Sequence, residues 1–184
     1  LPGVHLVTGG TPDRHQRELA ALLYAGAPGA LTSTAALRHF GLRSGRLQET
    51  ASPPRAIEEV VVLIPHRRRR VSTAWVRVER TRRYPPESDL ISVNDVLLVP
   101  PARALADAAR RMRSESDVTA LVIEGIRREL WTADQLLREL DDGSRRGSAH
   151  LRTALGMADA GIWSSAEGGA LRIIEGTGLP APLW

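Results

Sequence analysis

The chain has 184 residues, of which 42% are hydrophobic and only 4% aromatic; it contains no cysteine and carries a formal net charge of +4. That length suffices for one domain or two small ones with a real core. The lack of cysteine excludes disulfide scaffolds and thiolate metal sites. No apolar run reaches membrane-spanning length or opens the chain as a signal peptide, so no membrane association and a cytoplasmic location are expected.

The first ten residues are glycine-rich, and Val4-His5-Leu6-Val7 reads as the end of a hairpin. Thr11-Pro12-Asp13 then reads as a helix start, with threonine as N-cap, proline at the first helical position and an acid in the first turn. The helix it opens is expected to bury Leu19, Leu22 and Leu23 and to stop at Gly26-Ala27-Pro28-Gly29. Ser33 or Thr34 opens a second, short helix that ends at Gly41. Residues 43–56, with the Pro53-Pro54 pair, read as a loop.

Ile57 to Pro65 is a β-branched run of strand length, and Ala74 to Thr81 alternates Val76 and Val78 with Trp75, Arg77 and Glu79. These two segments are predicted to pair antiparallel through the connection HRRRRVS. A third strand is expected over Leu90 to Val99, broken at Asn94-Asp95. From Pro100 the pattern becomes helical. Ala102, Leu105, Ala106 and Ala109 share one face, Ser114 with Asp117 and Thr132 with Gln135 mark two further starts, and the remainder completes about four or five helices. The predicted fold is α+β: a small antiparallel sheet of about three strands, N-terminal helices and a C-terminal helical bundle, with residues 1–99 mixed and 100–184 helical.

All 25 basic residues are arginine, and their placement is uneven. Between Pro65 and Arg83 stand Arg67, Arg68, Arg69, Arg70, Arg77, Arg80, Arg82 and Arg83 against one acid, Glu79, a net of +7 in a chain of +4, so the remaining positions sum to −3. The basic character is a local patch. Arginines carried on strands can donate paired hydrogen bonds to phosphate from a fixed frame, and His66 borders the run. DNA is the expected partner. If about four to six of these side chains reach phosphates, affinity should fall with salt at a log–log slope of roughly −4 to −5.

Other chemistry is sparse. His5, His15, His39, His66 and His150 show no metal-ligand spacing, and His15 and His39 fall on predicted helices, as ordinary core or surface residues. No metal site, cofactor or glycine-rich phosphate loop is expected. Glu167 stands three residues after Ser164, a capping-box position whose ordinary role is to hold a helix start.

Five segments taken together resemble one family: GVHLV, PDRHQRELAALLYAGAPGALTSTAALRHFGLR, the strands around PHRRRR, VPPARALADAARR and SSAEGGALRIIEGTGLPAPLW. They are similar to the AbiEi-type antitoxins of type IV toxin–antitoxin systems, in the actinobacterial form followed by a nuclease-like domain of the very-short-patch-repair endonuclease type. The resemblance implies DNA binding, transcriptional regulation of a toxin operon and a functional link to a nucleotidyltransferase-like toxin. In that family a winged helix-turn-helix precedes the segment matched here by Gly3 to Val7, so the chain is expected to hold little of the sequence-reading helix and to supply phosphate contacts instead. In the nuclease-bearing relatives the acid matched by Glu167 opens the catalytic domain, which makes residues 164–176 the start of a truncated nuclease-like domain. The alternative function is therefore a Mg-dependent endonuclease completed by another copy, with Glu167 as its first acid. A metal-dependent nuclease needs several convergent carboxylates, so cleavage is not expected.

Overall fold

The computed structural model describes residues 1–7, 10–42 and 58–159. They form an α+β protein in two compact units, one of residues 1–41 and 58–104, the other of Leu42 and residues 105–159. The loop expected over 43–56 and the helix expected at Ser164 and Glu167 lie outside the described residues.

The first unit is built on β2 (Val60–Pro65), whose residues Val60 to Ile64 are all buried. A strand with no polar alternation must be covered on both faces and flanked on both edges. On one edge lies β1 (Ala30–Leu31), antiparallel, and on the other β3 (Val76–Thr81), parallel. Beyond β1 come β5 (Val96–Leu98), parallel to it, and β4 (Ile91–Val93), which forms a hairpin with β5. The sheet is thus mixed and five-stranded, in the order β3-β2-β1-β5-β4. Two expectations are corrected here. The sheet is neither three-stranded nor purely antiparallel, and the segment expected as one strand over Leu90 to Val99 folds back on itself. Asn94 and Asp95 take φ values of 48° and 63°, the left-handed pair that a two-residue hairpin turn demands.

α1 (Arg14–Ala25) lies on the face that carries Val78, Val62, Leu31, Leu98 and Ile91 in register across the five strands. Its N-cap is Asp13, not Thr11. The Asp13 carboxylate accepts the Gln16 N–H at 2.8 Å while the Gln16 side chain accepts the Asp13 N–H at 3.0 Å, a reciprocal pair that outcompetes the proline-based start. This helix also turns a different side inward than its leucines suggested. Glu18, Ala21, Tyr24 and Ala25 are buried, Leu19 and Leu22 are half-buried, and Leu23 is 70% exposed. Alanines at 21 and 25 let the helix axis come close to the sheet, which decides the phase. α2 (Ser33–His39) follows β1 and also meets β2.

α3 (Pro101–Ala109) passes from the first unit to the second, the division falling between Ala104 and Leu105. The second unit adds α4 (Glu115–Arg127), α5 (Ala133–Asp141) and α6 (Ala149–Asp159). The predicted caps form: Ser114 Oγ accepts the Asp117 N–H at 3.2 Å, and Thr132 with Gln135 makes a full capping box. Trp131 fills this core at 2% exposure and donates its indole N–H to the Val122 carbonyl at 3.2 Å. Among the described residues, no helix is long and apolar enough to cross a membrane.

Candidate nucleic-acid interface

The run His66 to Arg70 is not the tip of a hairpin. Because β2 and β3 run parallel, the connection of residues 66–75 has to travel back the length of a strand before β3 begins, and it does so past the C-terminal end of α1. The last turn of a helix leaves carbonyls without partners. Arg68 answers that need, donating to the carbonyls of Ala27 and Ala25. Gly26 adopts a φ of 73° and a ψ of 161°, and a Cβ there would stand 2.6 Å from Arg68 Nη2, so the bare glycine makes room for the guanidinium. Tyr24 donates its hydroxyl to the Val71 carbonyl at 2.9 Å, and the Arg70 guanidinium lies over the Tyr24 ring, 5.3 Å from its centroid.

Past these tethers, Ser72 and Thr73 run antiparallel along the outer edge of β3. Thr73 exchanges both backbone hydrogen bonds with Val76, and Ser72 Oγ accepts the Val78 N–H at 3.0 Å. Part of an otherwise open strand edge is thereby covered. The antiparallel pairing expected of the two long strands does not form: β2 and β3 run parallel, and only this short return pairs antiparallel with β3. Hydrogen bonds to the end of α1 hold the connection along this path.

The eight arginines have different roles. Arg67, Arg69 and Arg70 on the crossover, Arg77 and Arg80 on β3, and Arg82 just after it are exposed, as is His66. Arg68 is half-buried at the helix end. Arg77 sits 3.9 Å from the Glu79 carboxylate, and these two point to the sheet face opposite Val76, Val78 and Arg80, since alternate residues of a strand face opposite ways. Arg83 is half-buried; its N–H donates to Thr81 Oγ1 at 3.0 Å and its carbonyl accepts from Arg103 at 2.9 Å. The sequence run therefore divides into a structural pair, Arg68 and Arg83, and a set of exposed guanidiniums, Arg67, Arg69, Arg70, Arg77, Arg80 and Arg82. What residue order did not reveal is the division itself. The available signal was the glycine stop of α1, Gly26 to Gly29, which announces orphan carbonyls but does not name their donor.

A second polar cluster carries no sequence motif. Glu18, 2% exposed, meets His39 Nε2 at 2.7 Å, while Glu58 pairs with Arg14 at 3.1 Å and with Arg38. His15 is exposed. Among the described residues, no group of three or more histidines and acids is placed to hold a metal ion. Glu167 lies outside them. Comparison with protein-family models, with curated proteins and with solved structures finds no match to this chain.

Proposed function

We propose that the chain is a DNA-binding protein of the antitoxin or transcriptional-regulator kind that its sequence resembles, working in functional association with a nucleotidyltransferase-like toxin. The observation that supports this reading is the exposed set Arg67, Arg69, Arg70, Arg80 and Arg82, gathered on one crossover and the strand it feeds, where Glu79 is the only acid between Pro65 and Arg83. Arginine forks on such a frame match phosphate oxygens in pairs. Interactions of this kind set position and affinity more than base choice. The hydrogen bonds from Arg68 to the Ala25 and Ala27 carbonyls and from Tyr24 to the Val71 carbonyl restrict the crossover before any DNA arrives, so binding spends less free energy on ordering it.

The test is the salt dependence of affinity for a labelled DNA duplex, followed by fluorescence anisotropy. The protein is expected to show a log–log slope of roughly −4 to −5, and the combined replacement Arg67→Ala, Arg69→Ala, Arg80→Ala and Arg82→Ala to reduce its magnitude by about 3 to 4, close to 0.9 for each phosphate that is no longer neutralised. An unchanged slope would remove the crossover from the interface. Arg68→Ala is the contrasting variant, expected to lower stability with little effect on the slope.

A further inference from the structure

The crossover is tied to the C-terminal end of α1, and the helix is 12 residues long, which places its other end about 18 Å away. At that other end an open cleft of about 470 Å³ is lined by Arg14, His15 and Glu18 of α1, Arg38 and His39 of α2, and Asn94 of the β4–β5 turn. This is within the size range of small-molecule clefts, roughly 300 to 1,000 Å³.

Two features make the cleft more than a collection of surface charges. The first is the Glu18–His39 pair. An ionised carboxylate can only accept, so at 2.7 Å His39 Nε2 is the donor and the ring is held in one orientation, with Nδ1 left as its second polar atom. Placing a glutamate at 2% exposure on a helix whose neighbouring buried positions are Ala21 and Ala25 costs solvation; orienting the histidine is the compensation. The second is Glu58, which gathers both arginines. Arg14 Nη2 donates to Glu58 Oε2 at 3.1 Å and Arg38 bonds the other oxygen, Oε1. One carboxylate thus holds two guanidiniums side by side. Each guanidinium has five N–H donors, so most remain for a ligand; the trio carries +1, which the Glu18 carboxylate in the cleft wall offsets.

We propose that this cleft binds the terminal phosphoryl group of a small phosphorylated ligand, with Arg14 and Arg38 donating to its oxygens, His15 beside them, and His39 Nδ1 accepting a hydrogen bond from its P–OH. A carboxylate ligand offers two oxygens in one plane. A terminal phosphoryl group offers three in a tetrahedral arrangement, which suits two guanidiniums and two imidazoles carried by two helices along one cleft. Asn94, held in the left-handed turn of the hairpin, faces the remainder of the ligand.

The experiment is calorimetric titration of the full chain with inorganic phosphate and, separately, with a nucleoside 5′-monophosphate. Saturable binding of at least one is expected. Tighter binding of the ester identifies an ester site, and equal binding identifies a free-phosphate site. Arg14→Gln, at a side chain 54% exposed where folding is not at risk, is expected to weaken binding about tenfold or more, in line with the removal of a charge-assisted hydrogen bond. Arg38→Gln and His39→Gln should do the same, and Arg69→Ala on the crossover should leave the affinity unchanged. The absence of saturable binding, or equal affinity for wild type and Arg14→Gln, would overturn the proposal. Because DNA binding is read through Arg67, Arg69, Arg80 and Arg82, either reading can fail while the other stands.

Discussion

Among the arginines of the basic run, Arg68 shows most clearly that identical residues in sequence are not identical in function. Its guanidinium caps the end of α1, and Gly26 leaves the space it fills. Gly26→Ala is expected to destabilise the protein by about 1 to 3 kcal/mol, since an L side chain is forced into a backbone region that only glycine adopts easily and also meets the guanidinium; the shift of the urea unfolding midpoint measures it. Tyr84 is a second residue that its sequence neighbours do not explain. Its hydroxyl is buried without a hydrogen-bond partner, and its pKa is pushed from 10.0 up to about 12, by burial first and by the Glu87 carboxylate second. The folded state therefore holds the proton more tightly than the unfolded chain. The stability this provides is complete below pH 10 and is lost as pH rises through about 12. Titrating the phenolate absorbance should show this late step, and Tyr84→Phe should abolish it while leaving stability at neutral pH unchanged or slightly higher, because an orphan hydroxyl is removed.

At the level of elements, local chemistry was readable wherever a short-range rule decides. The capping residues Ser114 and Thr132 and the apolar run of β2 are visible in residue order, since each depends on neighbours within a few positions, whereas Asn94-Asp95 was legible as a break in a strand and not as the turn of a hairpin. The phase of α1 was not. Leu19, Leu22 and Leu23 are the more apolar residues, but the small side of the helix, Ala21 and Ala25, is the one that fits against the sheet. α4 shows the same principle in the second unit. Gly125 lies inside this helix, where glycine costs about 1 kcal/mol relative to alanine, and a Cβ there would stand 1.9 Å from Trp131 Cζ2. The indole occupies the groove that the missing side chain leaves. Gly125→Ala is therefore expected to destabilise by about 1 to 3 kcal/mol in spite of its better helix propensity. Chemical denaturation together with Trp131 fluorescence would check it, and a stabilised variant would show that the indole has room to move.

For the whole molecule, charge placement matters more than net charge. Replacing Arg67, Arg69, Arg80 and Arg82 takes the formal charge from +4 to 0, so any polyanion affinity that survives would have to come from the arginines left in place. The basic segment, its position between two strands and the α+β class were determined by the sequence alone, because composition and short-range periodicity are properties of the chain itself. The direction of β3 was decided only by tertiary structure. Antiparallel and parallel pairing present the same alternation of Val76 and Val78, and the choice depends on interactions from Tyr24 and the end of α1 to residues more than forty positions away. The same holds for the cleft at the other end of α1. Glu18, His39 and Glu58 are distant in sequence, and only the packing of α1 and α2 against β2 brings a buried carboxylate to one imidazole and a second carboxylate to two guanidiniums. Side chains of that kind acquire a chemical role from their neighbours in space, and residue order does not reveal those neighbours.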